Sequence, residues 1–279
     1  MAKVVGVVDI SHVPSIGVAI KNGKQEDPYW KPWFDGLKPV REWLGNIKPT
    51  TAVIFYNDHG MNFFLDAMPT FAIGCAPKYE AVDEGWGLPL FSGYPGNEPL
   101  SWHIREALHT AEIDMVVCQE MLVDHAVTLP IEMYWPKQEC PVKIVPININ
   151  TVLFPTPTPS RCEKLGKAVG DAIAKWDAPN EKILIMGTGG LSHQLEGKRA
   201  GFINKKFDFQ CMDNLVNNLE WFRQYTSEDC VELAGTQGLE IINWVASRAA
   251  YPGQMKQVYR FNHIPVSNTS GSILALEPA

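Results

Sequence analysis

Four of the chain's seven histidines, His12, His59, His125 and His193, stand just beyond apolar runs that read as strands. Imidazoles at neighbouring strand exits could converge on one pocket, because open α/β sheets bind ligands beyond the carboxyl ends of their strands. Two imidazoles and a carboxylate can hold a divalent metal and leave coordination positions open, which suits Fe(II) for oxygen chemistry or Zn(II) for hydrolysis. The zinc-hydrolase spacing H-E-x-x-H is absent from the chain. Glu240 is a candidate carboxylate, set among Leu239, Ile241, Ile242, Trp244 and Val245. It is either a first-turn acid favoured by the helix dipole or a group drawn inward by a cation. Glu232, with acidic neighbours, reads as a solvated residue. His103 and His109 fall on a polar helix, and the context of His263 decides nothing.

The elements that must present these residues follow from periodicity. Lys3–Val8, Thr51–Tyr56, Asp114–Cys118, Val142–Ile147 and Lys182–Met186 are short, apolar and rich in branched residues, as buried strands are. Pro146 suggests that its strand is irregular or lies at an edge. Cys162, Leu165, Val169, Ile173 and Trp176 recur at helical spacing. Further helices are expected from Pro39 to Leu44, Ser101 to Leu108, Phe207 to about Leu219, around Glu228–Glu232 and from Gly238 to Ala250. After Met186 the chain reads Gly187-Thr-Gly-Gly-Leu-Ser-His193, a glycine-rich strand exit that invites comparison with a phosphate cradle. No Lys-Ser/Thr pair follows, and the pattern is neither Walker A nor G-x-G-x-x-G. It reads instead as a turn that presents His193, its glycines leaving room for substrate.

Alternating strands and helices predict an α/β fold, and 279 residues without an internal repeat favour one domain over two. Residues 77–101 show no sustained period and carry Trp86, Phe91 and Tyr94, so they are expected to form a long active-site or interface loop. A net charge of -7 without a Lys/Arg cluster argues against nucleic-acid binding. No apolar stretch is long enough to span a membrane, and Asp9 interrupts Val4–Val8 too early for a secretion signal. A cytoplasmic protein is expected. The six cysteines lack any C-x-x-C pair and suit reduced thiols, none catalytic.

Seven blocks, in order, carry a resemblance: Ser11-His12-Val-Pro14, Tyr56-Asn-Asp-His59, Pro69-Thr-Phe-Ala-Ile-Gly74, Asp83-Glu-Gly-Trp-Gly87, Asp124-His125, Gly187-Thr-Gly-Gly-Leu-Ser-His-Gln194 and His263-Ile-Pro-Val-Ser-Asn-Thr269. Together they resemble the class III extradiol dioxygenases over nearly the whole chain, in particular the catalytic β subunit of the protocatechuate 4,5-dioxygenase type. The resemblance implies a three-layer α/β/α sandwich with a central mixed sheet as one catalytic domain over residues 1–279. It implies Fe(II) held by His12, His59 and Glu240, with His193 as catalytic base and His125 as a second active-site histidine. Asn57, Ser267, Asn268 and Thr269 would contact substrate. The implied reaction opens a catecholic aromatic acid with O2, cleaving beside rather than between the hydroxyls, and the implied partner is a small helical α subunit, a homo-oligomer or both.

Three departures bear on the substrate. Gly87-Leu-Pro-Leu90 stands where the family has Gly-Pro-Arg-Pro, Ala126 replaces a usual glycine, and Gly238-Leu-Glu-Ile-Ile-Asn-Trp244 replaces Glu-Leu-Val-Met-Trp. Protocatechuate is the first expectation; gallate, 3-O-methylgallate and other substituted catechols are alternatives. From the residues alone, a Zn(II) hydrolase and a non-catalytic aromatic-acid binding subunit also stay open.

Overall fold

The computed structural model describes residues 1–85, 87–88, 91–136 and 139–279. The first half runs β1 (Lys3–Ile10), α1 (Pro14–Lys21), α2 (Lys31–Ile47), β2 (Thr51–Tyr56), β3 (Phe71–Gly74), β4 (Lys78–Ala81), β5 (Tyr94–Pro95), α3 (Glu98–Thr110), β6 (Val116–Cys118), β7 (Leu122–Val123) and α4 (His125–Tyr134). The second half runs β8 (Lys143–Ile149), α5 (Pro159–Lys175), β9 (Lys182–Thr188), α6 (Lys205–Asn217), α7 (Ser227–Ala234), a 3-10 turn at Gln237–Glu240, α8 (Ile241–Ala249), β10 (Met255–Val266) and β11 (Thr269–Pro278). A longer 3-10 segment, Leu219–Gln224, joins α6 to α7.

Eight strands form a mixed sheet in the order β10-β11-β1-β9-β2-β8-β3-β6. Its centre, β1-β9-β2-β8, is parallel, and β11 and β3 run antiparallel on either side. Alternation along each strand splits the core in two. Val7, Val53, Phe55, Ile183 and Ile185 pack on one face against α5 and α8 residues such as Leu165, Val169, Ile242 and Val245. Val8, Ile10, Ala52, Ile54, Tyr56, Leu184 and Met186 face the other way, toward Ile16, Leu37, Val40 and Leu129 of α1, α2 and α4. Three layers in one domain follow, as the resemblance implied. On the first face α5 presses hard on α8: a Cβ at Gly166 or Gly170 would meet the carbonyl oxygens of Ala246 and Ala250 at 2.1 and 2.3 Å.

Several boundaries differ from expectation. Helix α2 starts eight residues before Pro39, because Trp33, Phe34, Leu37, Val40, Trp43 and Leu44 bury one continuous helical face that outweighs the hydrogen bond lost at the proline. Pro146 lies in an interior strand, not an edge. The β3 ladder on β8 spans Phe71↔Ile149 to Ile73↔Ile147 and stops short of Pro146, so the missing N–H interrupts no pair there. Residues 77–101 are not wholly loop: β4 and β5 pair with each other, β4 also pairs with β7 as a small second sheet, and α3 begins at Glu98, capped by Asn97. Strands of two to four residues are too short to show a period. Phe91 and Tyr94 are buried anchors, whereas Trp86, Pro89 and Leu90 lie outside the described residues. All six cysteines are free.

Candidate functional site

Register brings three of the histidines to one end of the sheet. Asp9 and Ile10 of β1 stand beside Gly187 and Thr188 of β9, and Phe55 of β2 also pairs with Gly187. His12, His59 and His193 therefore leave the sheet at nearly one level. His125 arrives differently: it follows β7 of the small sheet and opens α4, with Asp124 as N-cap accepting from Ala126 N. Imidazole centroids lie 5.2 Å apart for His12 and His59, 5.2 Å for His12 and His125, and 4.1 Å for His59 and His125. A ligand nitrogen from each of these three falls within 4.8 Å of the others.

Glu240 joins the group from the turn that leads into α8. Its Oε1 lies 3.4 Å from His12 Nε2 and 3.7 Å from His59 Nε2, and its Oε2 lies 3.8 Å from His193 Nε2. Asn57 Nδ2 donates to Oε1 at 3.1 Å, and Gly190 N donates to Oε2 at 2.7 Å. The glycine-rich turn makes room for this carboxylate, since a Cβ at Gly189 would come within 2.5 Å of Glu240 Oε2. That is a correction: the space expected for substrate belongs, at Gly189, to Glu240.

Each imidazole is anchored through Nδ1, leaving Nε2 as the nitrogen that can face the centre. His193 Nδ1 donates to the Leu191 carbonyl at 2.9 Å, and His193 N donates to Ala234 O at 2.8 Å. His59 Nδ1 and its backbone N both donate to Asp124 Oδ2, at 3.0 and 2.8 Å. His125 Nδ1 meets Glu84 Oε1 at 2.8 Å, and His12 Nδ1 meets the Thr188 hydroxyl at 3.2 Å. Glu84, Asp124 and Thr188 are the contributors that residue types alone did not single out as individual site residues. Asp124 meets His59 and Glu84 meets His125 only after folding; the one local signal was Asp124 preceding His125 as a helix cap.

Burial holds His12 neutral, pushing its pKa down to about 4 against the pull of Glu240. For His59 burial also opposes the charge, but Asp124 and Glu240 prevail and raise it to about 10. Burial likewise opposes the Glu240 carboxylate, yet His12, His59 and His193 keep it ionised well below the usual range. Among the described residues no Lys or Arg pairs with Glu240, whose side chain is 4% exposed. An ionised carboxylate so deeply buried needs a cation or protonated imidazoles for company.

The substrate candidates divide. Asn57 is buried inside the group, its Oδ1 accepting from Asn243 Nδ2 at 3.0 Å. Thr269 is buried and forms a β-bridge with His193. Ser267 and Asn268 form the exposed tip between β10 and β11, Ser267 with φ +56, and no described hydrogen bond joins their side chains to the histidines. His103 bonds the Ala172 carbonyl at 2.9 Å, and His263 stacks near Phe261 in β10, so neither belongs to the group.

With four imidazoles and one carboxylate gathered at the strand ends, residues 6–273 match the family described as the catalytic LigB subunit of aromatic ring-opening dioxygenase. The chain belongs to that family. It is 35% identical over 198 residues to a gallate dioxygenase of Pseudomonas putida, covering 70% of this chain and 57% of that one. It is 34% identical over 164 residues to a 2,3-dihydroxyphenylpropionate/2,3-dihydroxicinnamic acid 1,2-dioxygenase of Mycolicibacterium smegmatis, covering 57% of this chain and 48% of that one. The chain thus spans about half the length of these two relatives. An uncharacterized protein of Escherichia coli K12 shares the fold, with a TM-score of 0.59 at 12% identity over 99% of this chain and 100% of the other. Among the described residues no helix is long and apolar enough to cross a membrane.

Proposed function

We propose that the protein is an Fe(II)-dependent extradiol dioxygenase that opens the ring of a carboxylated catechol. The observation that carries this reading is the buried Glu240 carboxylate within 3.4 and 3.7 Å of two inward-facing Nε2 atoms, with no Lys or Arg beside it among the described residues. A neutral His12, an anchored His59 and an ionised Glu240 are the donor set that a divalent cation takes while keeping positions open for other ligands. Bound there, Fe(II) would supply the open coordination and electron transfer by which a chelated catechol and O2 react.

The chain's own residues do the rest. His193, its Nδ1–H committed to a carbonyl, offers Nε2 as the acceptor for a catechol proton, the base role. His125, similarly committed to Glu84, turns Nε2 toward the same space and serves as the second proton-handling group. Asn57 orients Glu240 and would contact the substrate. Thr269 holds the His193 turn through the backbone, and the exposed Ser267–Asn268 tip that precedes it would meet the substrate carboxylate. Protocatechuate and gallate are the first two substrates to try; the gallate relative adds weight to the second. A small α subunit or a second copy covering the opening, and a cytoplasmic location, belong to the same reading.

The test is anaerobic reconstitution with Fe(II), addition of a catechol panel including protocatechuate, gallate and 3-(2,3-dihydroxyphenyl)propionate, and admission of oxygen. Ring-opened product with one O2 consumed per substrate, dependent on Fe(II), is the expected result. Equal oxygen uptake in metal-free protein, or activity confined to zinc-loaded protein acting on esters, overturns it.

A further inference from the structure

Glu84 lies in the segment between β4 and β5, yet its carboxylate turns from solvent, with the side chain 6% exposed. It reaches the start of α4, where Oε2 accepts from the backbone N of His125 at 2.7 Å and Oε1 from its Nδ1 at 2.8 Å. The segment is held at two other points. Val82 N donates to Val123 O at 3.1 Å, and Leu88 covers Gly17 of α1, where a Cβ would come within 1.8 Å of Leu88 Cδ2 and 3.5 Å of Leu129 Cδ1. The segment therefore bridges the helices that begin beside His12 and at His125.

A second metal site is the other reading of this cluster, since ligand atoms of Glu84, Asp124 and His125 lie within 4.8 Å of one another. All four carboxylate oxygens are already engaged: Glu84 by the two N–H groups of His125, Asp124 Oδ1 by Ala126 N, and Asp124 Oδ2 by His59. Such saturation leaves little for a cation.

We infer that Glu84 is a positioning residue for His125, resting on the reading of His125 as a proton-handling group. One contact alone would let the ring rotate and exchange its nitrogens. Two contacts, to the backbone and to Nδ1 of the same residue, fix both the helix start and the ring, so that Nε2 alone faces His12 and His59. The backbone N–H is one of the unpaired donors of a helix's first turn, where a carboxylate is favoured. Glutamine has the same shape but only one acceptor oxygen for the two donors.

The experiment compares wild type with Glu84→Gln and Glu84→Ala, loaded with Fe(II) and assayed on gallate and protocatechuate. Iron content and KM are expected to stay within about twofold while kcat falls roughly 10- to 100-fold, the same scale as the loss when the carboxylate behind a metal-ligating histidine is removed. In metal-free protein, nitrogen-15 NMR should show His125 as the Nδ1–H tautomer in wild type and shifted toward the other tautomer in Glu84→Gln, the resonance being assigned by its loss in His125→Asn. Unchanged kcat with an unchanged tautomer overturns the inference, as does loss of iron in step with activity. Should wild type open no catechol at all, the functional reading fails while the tautomer measurement still decides the role of Glu84.

Discussion

Asp124→Asn separates the support of the proposed metal ligand His59 from the integrity of the fold. The Asp124 side chain is fully buried and divides its oxygens: Oδ1 accepts from Ala126 N at 3.0 Å, and Oδ2 accepts from His59 N and Nδ1 at 2.8 and 3.0 Å. Burial alone would raise its pKa, but His59 and His125 bring it down to about 2, so the group is an anion at working pH. Asparagine caps a helix as well as aspartate does, but it has one acceptor oxygen where two are used. With its oxygen on Ala126 N, its NH2 faces two donors of His59, and the ring responds by moving its proton to Nε2, the nitrogen needed for the metal. A buried donor left unsatisfied costs about 1–3 kcal/mol of stability. Removal of a carboxylate behind a metal-binding imidazole lowers metal affinity by roughly 10- to 100-fold, or about 1.4–2.8 kcal/mol. The assay is anaerobic Fe(II) titration against a competing chelator, with far-UV circular dichroism to show that the fold persists. Unchanged Fe(II) affinity in a folded Asp124→Asn protein would refute the reasoning. The pH dependence has a definite sign as well. Metal-free His59, raised to about 10, stabilises the protein below its ordinary value near 6.5, and that contribution is lost as pH rises through 10. On the proposed ligand set Fe(II) displaces this proton, so binding at neutral pH should release protons and tighten as pH rises.

Glu240→Ala is expected to abolish stoichiometric iron by metal analysis, whereas Glu232→Ala, altering an exposed residue of α7, keeps it; the reverse would move the ligand. Gly166→Ala drives a Cβ to 2.1 Å from the Ala246 carbonyl and should cost about 1–3 kcal/mol in denaturant unfolding. A midpoint equal to wild type would mean that α5 and α8 separate easily. Asp9 is buried beneath the site with Oδ2 unpartnered among the described residues, and burial holds its pKa well above the usual range despite the Ser247 hydrogen bond. The native state therefore holds a proton that the unfolded chain releases, and stability falls as pH climbs above the ordinary carboxylate range. Asp9→Asn should flatten that fall, read as thermal midpoints between pH 5 and about 8; an unaltered slope would exclude Asp9 as its source.

Much of the site was legible in the chain. Apolar runs with branched residues mark the strands, and His12, His59 and His193 follow three of them directly; Glu240 amid apolar neighbours marked a carboxylate with a reason to be inside. The helix of residues 162–176 was equally clear, because its face recurs every three or four residues. Local pattern misjudged Pro146, whose place depends on where a neighbouring strand stops, and residues 77–101, whose strands find partners only through each other and β7. The sequence by itself determined the donors and the elements that carry them, since residue type fixes chemistry and period fixes burial. Which nitrogen His12, His59 and His125 present was decided by the tertiary structure alone, whereas His193 is anchored by Leu191 two residues before it. Asp124 reaches His59 across 65 residues, Glu84 reaches His125 across 41 and Asn57 reaches Glu240 across 183, and a ring's orientation is set by the partner behind it, which no local pattern encodes.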